Sequence, residues 1–264
     1  MKSAIGIWTV RAEAEPLARF LASRLPAEFP PDFETNSETN REKFARAFPL
    51  HSSWVLLMTT GIAVRYLQGL LENKKQDPGV VVMDEAARFA VSLVGGHEGG
   101  ANRLAYQVAQ LVGAVPVIST ATEALKPLVL GIGCRKDVSE EQIDAAVTTT
   151  LRSIHRTLDE VREVATVDLK LHEPGLAAWC ETHALPLRSI HREAIADRAW
   201  VTQPSSWVKE NLGIDGVCEP AALIASPRGK LIQPKTSLNG VTVAIVEDPG
   251  ARALLQSNLA GENA

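Results

Sequence analysis

Two titratable side chains sit inside a run of glycines, Gly95-Gly96-His97-Glu98-Gly99-Gly100. Histidine titrates near neutrality, so His97 is a candidate general acid or base. Glu98 beside it is a candidate base or the group that orients the imidazole. The competing readings are a histidine that only bonds the turn and a carboxylate that faces a helix dipole. The apolar run Phe89 to Val94 precedes the glycines, and Leu104, Val108 and Leu111 follow at helical spacing. That order predicts a strand, a tight turn and a helix start. Glycine there accepts positive φ and lets a ligand approach the main chain. A helix start adds unpaired N–H groups. The string is neither the dinucleotide fingerprint nor the Walker A loop. Asn102 is placed to bond either main chain or ligand.

Other polar groups stand where apolar runs end. Thr59-Thr60-Gly61 follows Trp54 to Met58, Asp84-Glu85 follows Gly79 to Met83, and Thr120 to Glu123 closes Val115 to Ser119. Ligands bind at strand ends in open α/β sheets. If the strands are parallel, all four ends share one edge. Thr60, Thr120 and Thr122 are ligand contacts on that reading, or satisfy turn N–H groups on the plainer one. Asp84 and Glu85, being adjacent, point to opposite faces unless the strand has ended. Lys74 and Lys75 read as a solvated cation pair beside a turn. In the second half, Gly131-Ile-Gly133-Cys-Arg135 is another strand-to-loop turn with one cation. No histidine lies near Cys134 to activate it, which favours a spectator thiol. Asp168 and Lys170 alternate onto one face of a strand end, with Glu173 opening the next helix, as an ion pair or a polar clamp. Arg135, Lys170 and Lys235 suit a substrate that carries carboxylates.

The elements that must position these groups follow from periodicity. Ala4 to Trp8 reads as a strand, followed by a helix with Leu17, Phe20, Leu21 and Leu25 on one face and Pro16 in its first turn. Residues 26–40 read as a loop and 41–48 as a short helix. Trp54 to Met58 is unbroken in its hydrophobicity, as in a strand buried on both faces. A helix carries Ile62, Val64, Leu67, Leu70 and Leu71, and strands alternate with helices as far as Glu123. The expectation is a doubly wound, mostly parallel-sheet N-terminal α/β domain over 1–124. A second α/β domain over 125–248 restarts with a strand at Leu128 to Ile132. Ser139 and Gln142 match a capping box. Residues 159–164 read as a helical turn, 165–169 as a strand, 173–183 as a helix and 186–190 as a strand. Short helices at 204–213 and 219–225 come next. Two late strands, 230–233 and 241–246, are joined by a loop over 234–240. Residues 249–264 read as a loosely attached tail.

Composition narrows the class. The 264 residues are 45% hydrophobic and 22% charged, with a formal net charge of −4, as in an ordinary globular protein. No basic cluster with interleaved aromatics marks a nucleic-acid surface. The apolar runs are far shorter than the ~20 residues of a membrane span. The N-terminus lacks the apolar core of a signal peptide. Three widely spaced cysteines and scattered histidines fit a reducing compartment and no dedicated metal site. The chain reads as cytoplasmic, without nucleic acid or membrane as partners.

Taken together, the segments resemble the cobalt-precorrin-5A hydrolase family (CbiG) of anaerobic cobalamin biosynthesis. The resemblance is carried by Thr59-Thr-Gly-Ile-Ala-Val-Arg65, Lys74, Asp77-Pro-Gly-Val-Val-Val-Met-Asp-Glu85, Phe89 and Ser92-Leu93. It continues through Gly96-His-Glu-Gly-Gly-Ala-Asn102 and Pro116-Val-Ile-Ser-Thr-Ala-Thr-Glu123. The second half is similar to the CobE-like proteins of the aerobic pathway at Gly131 to Arg135, Thr166 to Lys170, Glu173 to Leu176 and Gly240 to Ile245. The family's middle region is missing here, since Thr122-Glu123 runs almost at once into Leu128-Val129. Gly95 stands where the family pattern has serine.

The resemblance implies a hydrolase that opens the δ-lactone of cobalt-precorrin-5A and releases acetaldehyde to give cobalt-precorrin-5B. Such a reaction needs an activated water, donors for an oxyanion and groups that hold a macrocycle bearing carboxylates. His97 or Glu98 is then the candidate base. Gly99 and Gly100 are candidate amide donors, and Arg65, Lys74, Arg135 and Lys170 candidate clamps. Thr60, Gly61, Asp84, Glu85, Asn102, Thr120, Thr122, Gly133, Asp168 and Glu173 complete the expected substrate contacts. Cobalt arrives with the substrate, so no cofactor of the protein is implied. The expected partner is the cobalt-corrinoid intermediate, with neighbouring pathway enzymes and a second copy of the chain as further candidates. A non-catalytic carrier of corrinoid intermediates is the alternative.

Overall fold

A computed structural model describes residues 3–29, 38–198, 201–248 and 250. The chain divides into two compact units, residues 1–120 and 121–264. The first contains strands β1 (Ser3–Thr9), β2 (Ala27–Glu28), β3 (His51–Leu57), β4 (Gly79–Met83), β5 (Phe89–Val94) and β6 (Val115–Val117). Its helices are α1 (Glu15–Arg24), α2 (Asn40–Ala47), α3 (Thr60–Leu67) and α4 (Ala101–Val112). The sheet order is β2-β1-β3-β4-β5-β6. β3 and β4 are buried on both faces, as their unbroken apolar runs require. Alternation along the strands feeds two cores. Ile5, Ile7, Val55, Leu57, Val81 and Met83 face α1 and α4. Trp8, Trp54, Leu56, Val80 and Val82 face Phe44 of α2, Phe48 just after it and the apolar stripe of α3.

One strand overturns the expectation of a single functional edge. β1, β2, β3 and β4 are mutually parallel, but β5 pairs antiparallel with β4, Met83 opposite Ala90 and Val80 opposite Val94. The connection over residues 84–88 is a hairpin, because a parallel crossover needs about a dozen residues or more. β6 then runs parallel to β5. The ends of β5 and β6 therefore lie at the edge opposite the ends of β1, β3 and β4. The short strand β2 lies in the stretch read as loop, and most of the rest of that stretch, 30–37, is outside the described residues.

The second unit opens with a short helix, α5 (Ala121–Ala124). Its strands are β7 (Leu128–Cys134), β8 (Val161–Val167), β9 (Leu187–Ile190), β10 (Lys230–Leu238) and β11 (Val241–Glu247), in the order β10-β11-β7-β8-β9. Its longer helices are α6 (Glu140–Ser153), α7 (Pro174–Thr182), α8 (Arg192–Ala196), α9 (Ser206–Leu212) and α10 (Cys218–Ala225). The capping box at the start of α6 forms as its sequence predicts, Ser139 and Gln142 each accepting the other's backbone N–H. β7, β8 and β9 are parallel, whereas β10 and β11 form an antiparallel hairpin against β7.

Three boundaries differ from expectation. The strand read at 165–169 begins at Val161 and stops at Val167, so the helical turn expected at 159–164 shrinks to Leu158–Glu160. Residues 168–170 form a 3₁₀ turn. The loop read at 234–240 is mostly strand. β10 continues to Leu238, with irregular register on either side of Gln233, where Pro234 follows. α8 was not signalled by any strong periodicity. The tail read at 249–264 lies outside the described residues except for Gly250. Among the described residues, no helix is long and apolar enough to cross a membrane.

Candidate functional site

The glycine turn connects β5 to α4, with Gly95 at φ +67° and Gly100 at φ +75°. The N–H groups expected to be free at the start of α4 are largely used by the turn itself. Gly100 N–H donates to His97 O at 3.1 Å, Ala101 N–H to Gly95 O at 3.1 Å and Asn102 N–H to Gly96 O at 3.0 Å. The pair Gly99–Gly100 therefore does not offer two free amides. The glycines also serve packing more than access. A Cβ on Gly79, at the start of β4, would lie 2.2 Å from Gly99 O, and one on Gly99 would lie 2.7 Å from Gly79 N. A Cβ on Gly96 would lie 2.4 Å from Thr120 Cγ2. At these positions it is the chain's own backbone and side chains that come close.

Asn102 joins three elements instead of facing a ligand. The Ser92 hydroxyl on β5 donates to Asn102 Oδ1 at 2.8 Å, and Asn102 Nδ2 donates to Thr120 Oγ1 beyond β6 at 3.0 Å. His97 and Glu98 are exposed at the crown of the turn. Lys74 reaches Glu98 at 3.8 Å, so the sequence-predicted His97, Glu98 and Lys74 do gather at this edge. Thr122 bonds Glu123 and falls in the second unit's part of the chain.

The expectation that Thr60, Gly61, Asp84 and Glu85 join them is corrected by the reversal of β5: they lie at the other edge. Thr59 caps α3 through Ile62 N–H, leaving Thr60 and Gly61 at the helix start, and Arg65 is exposed near its end. Asp84 closes the β4–β5 hairpin. It accepts the N–H groups of Arg88 and Phe89 at 2.8 and 2.9 Å and the Arg88 guanidinium at 2.9 Å. Partial burial alone would raise the Asp84 pKa, but Arg88 and the two amides outweigh it and hold the carboxyl below its ordinary value. Its role is that of a turn residue. Glu85 pairs with Arg11 at 3.4 Å.

At this second edge, a cavity of about 450 Å³ opens beyond the end of β1 and is lined by Trp8, Thr9, Arg11, Asn40 and Lys43, among others. The Trp8 indole donates to Asn40 Oδ1 at 3.0 Å, and Asn40 Nδ2 donates to Thr9 O at 3.4 Å. Sequence reasoning missed Arg11, Asn40 and Lys43. They come from the loop after β1 and from α2, and only the pairing of β1 with β3 brings them together. The one available signal was the start of α2, where Thr39 and Glu42 form a capping box.

In the second unit the predicted residues separate. Gly133 and its neighbour Gly131 are packed under α10 and against β11. A Cβ on Gly131 would lie 1.7 Å from Cys218 O, and Thr242 Oγ1 donates to Gly133 O at 3.0 Å. Arg135 is exposed, and its N–H donates to Gly240 O at 2.9 Å. Asp168 and Lys170 do not share a strand face, because the strand has already ended. Asp168 accepts Leu169 N–H at 2.8 Å and sits 3.4 Å from His191 Nδ1. Lys170 instead donates to Glu173 at 2.8 Å. Glu173 is 7% exposed and also accepts Asp137 N–H at 2.6 Å. Burial would raise its pKa, but Lys170 and the backbone amides of Asp137 and Val138 together lower it. This is a structural tie between two loops, β7–α6 and β8–α7. Burial pushes the Cys134 thiol up to about 11 despite nearby Lys170, which fits a spectator and not a nucleophile. Lys235 is held by Gln203 O at 2.9 Å. Asp168, His191 and Glu193 have ligand atoms within 4.8 Å of one another and could hold a cation, although His191 and Glu193 are exposed.

Comparison with known proteins matches both units to one family. The model for the cobalamin synthesis G N-terminal region matches residues 42–123, and that for the cobalamin synthesis G C-terminus matches 128–246. Cobalt-precorrin-5A hydrolase of Salmonella typhimurium is 24% identical over 292 residues, covering 76% of this chain and 83% of the relative. The protein of the same name from Priestia megaterium is 21% identical over 300 residues, covering 76% and 80%. Protein CobE of a Sinorhizobium species is 26% identical over 129 residues, covering 48% of this chain and 84% of the relative. The chain belongs to the cobalamin synthesis G family.

Proposed function

We propose that this member of the cobalamin synthesis G family is a cobalt-precorrin-5A hydrolase. The observation that carries the reading is the matching of both units, in order, by the two halves of one family, with relatives of that name aligned over most of the chain. Water adds to the lactone carbonyl and the ring C–O bond breaks, leaving a carboxylate and a hydroxyl on the extruded carbon. That hydroxyl loses its proton as the carbon–carbon bond to the macrocycle breaks. The electron pair passes into the conjugated ring and the two-carbon fragment leaves as acetaldehyde. No metal of the protein enters this scheme, because the cobalt is part of the substrate.

The exposed His97–Glu98 crown, with Lys74 beside it, supports a proton acceptor next to a cation at the glycine edge. His97 is the proposed base that takes the proton of the attacking water, and general-base catalysis is worth roughly 10²- to 10⁴-fold. Purified protein given cobalt-precorrin-5A is expected to release acetaldehyde. His97→Ala should lower kcat by about 10²-fold or more while changing KM little. Full turnover in that variant removes His97 as the base. Corrinoid binding by the wild type without acetaldehyde above background would favour the carrier reading.

A further inference from the structure

His97 and Glu98 stand at the crown of the turn Gly95 to Gly100, and both are exposed. An exposed side chain on a glycine-rich segment gains little orientation from packing, and glycine leaves the backbone itself free. A general base must nonetheless keep its place, since a misplacement of about 1 Å can cost roughly 10²-fold in rate. The order has to come from outside the crown.

Asn102, in the first turn of α4, supplies it. Its backbone N–H donates to Gly96 O at 3.0 Å, on the residue that precedes His97. Its side chain lies against the same residue, because a Cβ on Gly96 would stand 2.9 Å from Asn102 Oδ1. The amide is itself held at both ends. Oδ1 accepts the hydroxyl of Ser92, buried on β5, at 2.8 Å, and Nδ2 donates to Thr120 Oγ1 at 3.0 Å. The Thr120 methyl completes the seat, 2.4 Å from the same Cβ position. Gly96 is thus clamped between Asn102 and Thr120 where the chain enters the crown. Neighbours locked by their own hydrogen bonds are what keep a functional group in its productive geometry.

We infer that Asn102 is the positioning residue of the His97 turn: its amide, tied to Ser92 and Thr120, fixes Gly96 and through it the place of His97. For its effect on catalysis the inference rests on the hydrolase reading with His97 as base. Asn102 acts here through His97 and not on substrate, so its loss falls on kcat and not on KM.

The test measures kcat and KM from acetaldehyde release in Asn102→Ala, His97→Ala and the double variant. It also follows the imidazole resonances of His97 by NMR, assigned through His97→Gln. Asn102→Ala is expected to lower kcat about tenfold to a hundredfold, with KM within about threefold of wild type. In the His97→Ala background the same substitution should change kcat less than about threefold, because groups that act as a unit are not additive. The His97 resonances of Asn102→Ala should shift or broaden. Thr120→Val removes the anchor from the far side and should act in the same direction. Thr120→Ser keeps the hydroxyl and should stay within about threefold of wild type. This pair serves if Asn102→Ala folds poorly. Wild-type kcat in folded Asn102→Ala overturns the inference, and so does an equal loss of kcat in both backgrounds, which marks a merely structural role. Full turnover in His97→Ala overturns it together with the base, while acetaldehyde release still upholds the hydrolase reading. If the wild type releases no acetaldehyde, that reading fails and the resonances decide. His97 signals unchanged in folded Asn102→Ala then overturn the positioning, and displaced ones uphold it.

Discussion

The two edges of the N-terminal sheet use glycine in opposite ways. At the β5–β6 edge, Gly79, Gly96 and Gly99 are filled in by neighbouring chain, with backbone atoms as close as 2.2 Å to where a Cβ would stand, while Gly100 has open space and is set by its φ of +75°. At the β1–β3 edge, Gly61 has nothing within 4 Å. The first edge spends its helix-start amides on its own carbonyls and ties Asn102 to Ser92 and Thr120. The second keeps a cavity lined by Trp8, Arg11, Asn40 and Lys43, among others. A glycine-rich string at a strand end signals close packing as readily as ligand access. Which of the two it means depends on what lies opposite.

The largest effect that could break this comparison is expected at Gly99. Gly99→Ala forces a side chain against the Gly79 backbone, and overpacking of that kind costs about 3 kcal/mol. Urea denaturation followed by far-UV circular dichroism measures it, and a loss below about 0.5 kcal/mol would mean that the turn is looser than its contacts indicate.

A pH effect at the other edge comes next in size. The Asp84 pKa is lower in the folded protein than the ordinary value of about 3.9. As pH falls, the unfolded chain takes up this proton first. The stabilisation is therefore complete above about pH 4 and is lost as pH drops through the folded value. Stability of Asp84→Asn, measured between pH 3 and 7, should fall less steeply below pH 4 than that of wild type. Equal slopes would show that the Arg88 and Phe89 contacts do not hold the charged form.

The smallest effect has the opposite sign. Gly61→Ala, in the first turn of α3 with open space around it, should stabilise the protein by about 0.5–1 kcal/mol through helix propensity and a less free unfolded chain. The same variant sharpens the functional contrast. A raised KM together with raised stability would place substrate near the Gly61 backbone, and an unchanged KM would leave this turn outside the substrate contacts.

Much of this was legible in one dimension. β3 and β4 were visible as unbroken apolar runs, α4 as a stripe closing at Gly113, and α6 as a capping box ahead of Ile143, Ala146, Val147 and Leu151. These are local or periodic properties that each segment carries by itself. The hairpin over residues 84–88 was also readable, since its length excludes a crossover, yet strands that look buried on both faces invited a parallel reading. β10 was hidden by Pro234 and Lys235, which its irregular register accommodates. The site was less legible than the fold. Asn102 and Glu173 look like ligand contacts in a string of polar residues, but they are fastened inside the structure by partners 10 to 36 positions away.

By itself the sequence determined the two α/β units, most of their strands and helices, and the family, because each rests on local pattern or on strings of residues. The tertiary structure alone decided which side chains meet at each edge. The direction of β5, implied by the short connection over residues 84–88, carries His97 to the edge where Lys74 precedes β4 and away from Thr60, Asp84 and Glu85. Which strands and helices lie beside each other there is a property of the pairing and is written in no single residue. The crevice at Lys43 is for the same reason absent from any motif, since it exists only once β1, β3 and α2 have packed together.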